Sequence, residues 1–179
     1  GRYLGKFDST DTLLCIKNDG SYEIITIDLN QRFKLNDILI LEKFNSESVI
    51  SCMYYDSSSK NCYIKRFNIE TSTADKEFYF LDESNPMRLL LVTVTRNAIF
   101  KFNYHSASGQ KKIKEIDVDS FVGVKGWKSI GNKVNYHKRM SGYEVVEGDV
   151  YENQDIEESV TDSQQEEENN DSNILNLFE

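Results

Sequence analysis

The side chains with the clearest chemistry to offer are the cations between residues 111 and 139. Lys111, Lys112, Lys114, Lys125, Lys128, Lys133, Lys138 and Arg139 set eight positive charges against three acids in that stretch. Phosphate binding needs cations held on a rigid surface, because each neutralised phosphate releases condensed counterions. Within the stretch, "SFVGVKGWKSIGNKV" (120–134) holds three lysines, three glycines and the only tryptophan. Gly123, Gly126 and Gly131 permit tight turns and close backbone approach, which lets amides reach phosphates. Trp127 is expected in the core, as a buried ring closing the last strand unit. Further candidates for a phosphate-facing surface are Lys65 and Arg66 in "YIKRF", together with Arg96 and Lys101. Nothing in these residues promises base reading, so binding through them would follow shape and salt.

Other chemistries find little support. His105 and His137 are the only histidines, and neither lies near a nucleophile elbow. Asp11, Asp19, Asp28 and Asp37 have spacings that suit Asx turns better than a metal site. The chain has no P-loop and no glycine-rich dinucleotide loop. Cys15, Cys52 and Cys62 are odd in number and lack CxxC spacing, which predicts free buried thiols in a reducing compartment. No catalytic residue, metal site or cofactor is expected here.

The elements that must position the cations can be read from charge and periodicity. All 21 Lys and Arg residues lie at or before Arg139, against 17 acids up to Tyr143, so residues 1–143 carry +4. The other 13 acids follow Tyr143 with no basic residue among them. Opposite signs in two parts suggest a polyanion-binding body and an acidic tail. The segment 144–179 is poor in large apolar residues and is expected to be disordered, apart from a cluster at Ile174, Leu175, Leu177 and Phe178. No apolar run approaches the ~18 residues needed to span a bilayer, and no signal peptide is visible, so a soluble, membrane-free protein is expected. The chain opens on glycine almost directly before a strand pattern, as a piece of a longer chain would.

The body is rich in Tyr, Phe, Ile and Thr with a single proline, Pro86, a strand-favouring composition. "DTLLCIKNDGSYEIITIDL" (11–29) is an apolar run, an Asn-Asp-Gly turn and an alternating strand, a hairpin signal. "SVISCMYYDSSSKNCYIKRFNIE" (48–70) repeats the form, and "RLLLVTVTRNAIFKFNYH" (88–105) repeats it again with a turn near Arg96-Asn97. Each is followed by a further strand pattern, in "DILILEKF" (37–44), "EFYFLDE" (77–83) and "DSFVGVKGW" (119–127). This predicts an all-β fold of three four-stranded units, about 1–47, 48–85 and 86–139, in the manner of propeller blades. A sandwich of the same strands is the alternative.

The segments "GRYLGKFDSTDTLLCIKNDGSYEI", "NDILILEKFN", "YIKRFNIET" and "DSFVGVKGWKSIGNKV", in this order, resemble the C-terminal domain of the A subunit of bacterial type IIA topoisomerases, of the topoisomerase IV or gyrase-like Bacteroidetes type. The resemblance covers about residues 1–134. It implies a β-pinwheel, a propeller-like disc whose basic rim binds and bends duplex DNA, here a partial wheel of about three blades. It also implies partners (the rest of the A subunit and its ATPase B subunit), a bacterial cytoplasmic, nucleoid-associated location, and ATP and Mg used only in other domains of the parent. The Gln-Arg-Arg-Gly-Gly-Lys/Arg-Gly box of gyrases is absent from the sequence. Within the family that departure favours decatenation and relaxation over supercoiling. A β-propeller-like protein-interaction module, whose acidic tail recruits a basic partner, is the competing reading, and a purely structural fragment is a third.

Overall fold

Alternating apolar residues flanked by polar turns do give strands throughout. The computed structural model describes residues 4–28, 30, 32–71, 73–134 and 139–151. Among them run β1 (Thr12–Lys17), β2 (Ser21–Thr26), β3 (Ile38–Lys43), β4 (Val49–Asp56), β5 (Asn61–Asn68), β6 (Glu77–Tyr79), β7 (Met87–Thr93), β8 (Ile99–His105), β9 (Lys111–Asp117), the single helical turn α1 (Val118–Phe121), β10 (Asn132–Val134) and β11 (Ser141–Val146).

Two of the predicted hairpins form as read. β1 and β2 join through Asn18-Asp19-Gly20, where Gly20 has φ +84° and Asp19 Oδ1 accepts from the Ser21 amide at 2.9 Å. β4 and β5 pair along their whole length from Val49↔Asn68 to Asp56↔Asn61. The third does not form. β7 pairs with β4, and β8 pairs with β9 and β11, so the segment 88–105 crosses between two sheets instead of folding back. The reason lies at the predicted turn: the Arg96 amide and carbonyl are both bonded to Asp149, at 2.8 and 2.9 Å. The third hairpin is instead β8–β9, closed by the Ser106 amide on the Gln110 carbonyl.

Three antiparallel sheets result, with orders β3-β1-β2-β6, β10-β5-β4-β7 and β11-β8-β9. Sequence units and sheets are out of phase. β6 follows the β4–β5 hairpin but pairs with β2, and β10 follows β8–β9 but pairs with β5. Each later unit thus lends a strand to the sheet before it. The fold is all-β and pinwheel-like, as expected, although the third sheet has three strands among the described residues rather than four.

Two apolar cores join the sheets in series. Leu14, Ile16, Tyr22 and Ile24 of the first sheet meet Ile50, Cys52, Tyr54 and Phe67 of the second. On the other face of the second sheet, Met53, Cys62, Ile64 and Leu91 meet Phe100, Phe102 and Ile116 of the third. The alternation along β4 and β5 sends successive side chains to opposite cores, which is why both strands are apolar on both faces. Burying each such side chain is worth roughly 1.5–3 kcal/mol. The three cysteines are free and buried, as predicted.

The compositional break after Tyr143 falls inside β11, which runs on to Val146 along β8. Glu147 then accepts from Thr93 Oγ1 and Thr95 Oγ1 at 2.9 and 2.7 Å, and the Arg96 guanidinium lies 4.0 Å from the Tyr151 ring centre. The first acidic residues are therefore built into the third sheet. The rest of the expected disordered tail, 152–179, lies outside the described residues, as do Lys138 and His137.

Candidate nucleic-acid interface

The pattern of residues 119–127 predicts a strand, and the structure forms something else there. Asp117 caps α1, its Oδ1 accepting from the amides of Asp119 and Ser120, and bonds from Ser120 first, then Asp119, hold its carboxyl below its ordinary pKa. Past α1 the chain lies as an irregular strap along β5. The Lys125 amide donates to the Arg66 carbonyl at 2.9 Å, and Tyr54 Oη donates to the Ile130 carbonyl at 2.8 Å. Gly131 takes φ +88°, and a Cβ there would overlap the Ile64 carbonyl, so only glycine lets the strap turn into β10 at this distance. A Cβ on Gly123 would meet open space and one on Gly126 only the Glu70 carboxylate at 3.8 Å, so neither glycine is required by close packing.

Trp127 is half-buried but closes a different sheet from the one predicted. Its ring meets Tyr22 and Phe78 edge-on, at centroid distances of 6.1 and 6.2 Å, and so seals the first sheet against the strap.

Lys65 and Arg66 point inward, contrary to the expectation of a phosphate-facing pair. Lys65 is 2% exposed, with its ammonium donating to the carbonyls of Phe80 and Trp127 and lying within 6 Å of the Tyr54, Phe67 and Phe80 rings. Burial pushes its pKa down, while the carbonyls and ring faces favour the charged form. Arg66 reaches Asp119 Oδ2 at 2.7 Å and the Val122 carbonyl at 3.3 Å. Both cations cross-link the strap to β5. Their charge suggests surface residues in sequence, but both lie in mid-strand on β5, and the strap, together with Phe80 at Lys65, covers them.

The remaining candidates divide by position. Lys125, Lys128 and Lys133 are exposed along the strap and β10, and Lys111, Lys112 and Lys114 are exposed along β9. β10 and the strap border the outer side of β5 in the second sheet, and β9 is an outer strand of the third, so Lys125, Lys128 and Lys133 belong to the one border and Lys111, Lys112 and Lys114 to the other. Lys112 and Lys114 share the β9 face of Ile116, above a groove of about 490 Å³ lined by Tyr104, Ile116, Phe121 and Val134. Lys128 stands 5.2 Å over the Trp127 ring and borders a depression with Asp82 and Glu83. Arg139 lies at the turn end of the third sheet, its carbonyl 3.4 Å from His105 Nδ1. Arg96 and Lys101 lie elsewhere: Arg96 is held by Asp149 and Tyr151, and Lys101 sits between Glu115 and Glu144, at 3.9 and 3.6 Å.

Among the described residues no group of three or more His, Cys, Asp or Glu side chains could hold a metal ion, and no helix is long and apolar enough to cross a membrane.

A strand-exchanged stack of antiparallel sheets with a lysine-bearing edge defines the class as a pinwheel-like β domain. A family model described as the topoisomerase C-terminal domain of Bacteroidota matches residues 1–141, and the chain belongs to that family. No curated protein and no solved structure matches the chain.

Proposed function

We propose that this domain binds duplex DNA with little sequence preference and bends it, as the accessory C-terminal domain of a type IIA topoisomerase A subunit. The observation that carries the reading is that Lys111, Lys112, Lys114, Lys125, Lys128 and Lys133 are all exposed, on the outer strand β9 of the third sheet and along the strap and β10 beside β5. Exposed cations held on strands and on a strap fastened to β5 suit a phosphate backbone, which carries no sequence information directly. Arg139 and Lys138 extend the same patch in sequence. Lys65 and Arg66 serve by holding the strap that displays three of these lysines.

The lack of a gyrase box supports decatenation and relaxation over supercoiling. The bound DNA is handed to the rest of the A subunit, while the ATPase B subunit and its ATP and Mg supply the energy in other domains of a bacterial, nucleoid-associated enzyme. The acidic tail competes with DNA for the lysine edge. An electrophoretic titration with linear duplex at two salt concentrations tests the reading. With roughly four to six phosphate contacts, log affinity falls against log salt with a slope of about −0.9 per contact. A flat salt response, or no binding at low salt, favours the protein-interaction module instead.

A further inference from the structure

Every sheet but the last is completed in the same way. The second strand of each hairpin takes a strand from the following unit: β2 takes β6, and β5 takes β10. β9 is the equivalent strand of the third sheet, and among the described residues no strand pairs with its outer edge. The space beside that edge is the groove above Ile116, Phe121 and Val134. On the opposite face of β9, Ile113 is 60% exposed. An unpaired edge presents a row of backbone donors and acceptors ready to accept another strand.

We infer that β9 is a strand-acceptor slot and that its occupant is a later segment of this same chain, "SNILNLFE" (172–179). Three observations select that occupant. A strand laid beside β9 must offer apolar side chains to both faces, to the groove on one side and to Ile113 on the other. Ile174 and Phe178 share one parity and Leu175 and Leu177 the other, so the segment does this. β9 carries Lys111, Lys112 and Lys114, and the connecting stretch 152–171 carries nine acids and no base. The reach is ample. Tyr151 is anchored at the Arg96 end of the third sheet, and β9 lies two strands from β11, about 10 Å away. The 22 residues from 152 to 173 span about 26 Å even as a flexible coil. Tethering at that length gives an effective concentration on the order of millimolar. Strand β6 is the precedent: "EFYFLDE" is likewise an apolar core ending in acids, and its Phe78 stacks on Tyr22 at 5.6 Å.

Only strand pairing is at stake, and it is tested without DNA, so its failure is distinguishable from failure of the proposed function. Amide hydrogen exchange is followed residue by residue in the full chain and in its Ile174→Ser, Leu177→Ser, Phe178→Ser variant, which leaves the charge unchanged. Every second amide of Lys111–Asp117, those on the outer edge, exchanges at least tenfold slower in the wild type than in the variant. The difference persists on tenfold dilution, and free SNILNLFE peptide restores it to the variant. Equal exchange in the two proteins overturns the proposal. Protection that vanishes on dilution, with a dimer in sedimentation, overturns it in favour of a second copy in the slot.

Discussion

The ammonium of Lys65 donates to the carbonyl of Trp127 at 2.9 Å, across 62 residues of sequence. A charged group in the core of the second sheet therefore holds the strap that carries the exposed lysines, and the ring of the same tryptophan seals the first sheet. This bond acts together with the Lys125 amide on the Arg66 carbonyl, the Tyr54 hydroxyl on the Ile130 carbonyl and the Arg66–Asp119 pair to hold the strap.

Replacing Lys65 by methionine keeps most of the volume but leaves the carbonyls of Phe80 and Trp127 without their donor. Leaving buried polar groups unpaired costs about 1–3 kcal/mol each. The expected result is a clear drop in thermal midpoint with little change in the salt slope of DNA binding for the molecules that stay folded. A variant that melts like the wild type but loses DNA would return Lys65 to the surface.

The triple replacement of Lys112, Lys114 and Lys133 by alanine is expected to do the reverse. These side chains are exposed, so the melting temperature stays within about a degree or two. Affinity for every duplex falls, and the salt slope becomes shallower by about 0.9 for each phosphate the domain no longer neutralises. Titrations at several salt concentrations measure both, and an unchanged slope would show that the edge does not face DNA.

Trp127→Ala removes two edge-on aromatic partners and half-buried apolar area. Large-to-small aromatic changes cost about 3–5 kcal/mol when fully buried, and half burial brings this to about 1.5–2.5 kcal/mol. Gly131→Ala is expected to be at least as damaging, because it forces a Cβ onto the Ile64 carbonyl at a positive φ. Denaturant unfolding of the two variants gives the comparison, and a Gly131→Ala protein as stable as the wild type would refute the strap geometry.

Acid should destabilise the fold in a narrow window. Hydrogen bonds from Lys17 and then Tyr79 hold Glu77 below its ordinary value, backbone and side-chain bonds from Ser120 do so for Asp117, and bonds from Thr26 do so for Asp75. Each carboxyl has a lower pKa folded than unfolded, so its contribution is present above the unfolded value of about 4 and is lost as pH falls through the folded value. The melting temperature is thus flat from about pH 7 to about 5 and declines below about 4. Glu77→Gln removes part of that decline, and an identical acid profile in this variant would disprove its share.

Strand content, the first two hairpins and the buried thiols are legible in the sequence because each rests on local pattern: alternation, an Asn-Asp-Gly turn, small apolar cysteines within strands. The third hairpin is misread, because "TRNA" has turn chemistry but its backbone bonds go to Asp149, more than fifty residues away. The inward turn of Lys65 and Arg66 is hidden for the same reason, since the strap that buries them follows some sixty residues later. Composition also places the start of the tail too early. Glu144 and Glu147 look like solvated acids, whereas one belongs to β11 and the other takes two hydroxyl bonds from Thr93 and Thr95. The clustering of the exposed lysines is visible along the chain, but their division between β9 and the border of β5 exists only after strand exchange.

Because β6 and β10 each complete the sheet before their own, the array has a direction in which it can lengthen. A tandem copy added after β9 would bring a strand to its outer edge, where none pairs among the described residues, and would leave the same edge open one unit further on. Loss of a terminal unit would expose the edge behind it without disturbing the pairing of earlier sheets. Blade number can then change by whole units while the earlier sheets keep their pairing.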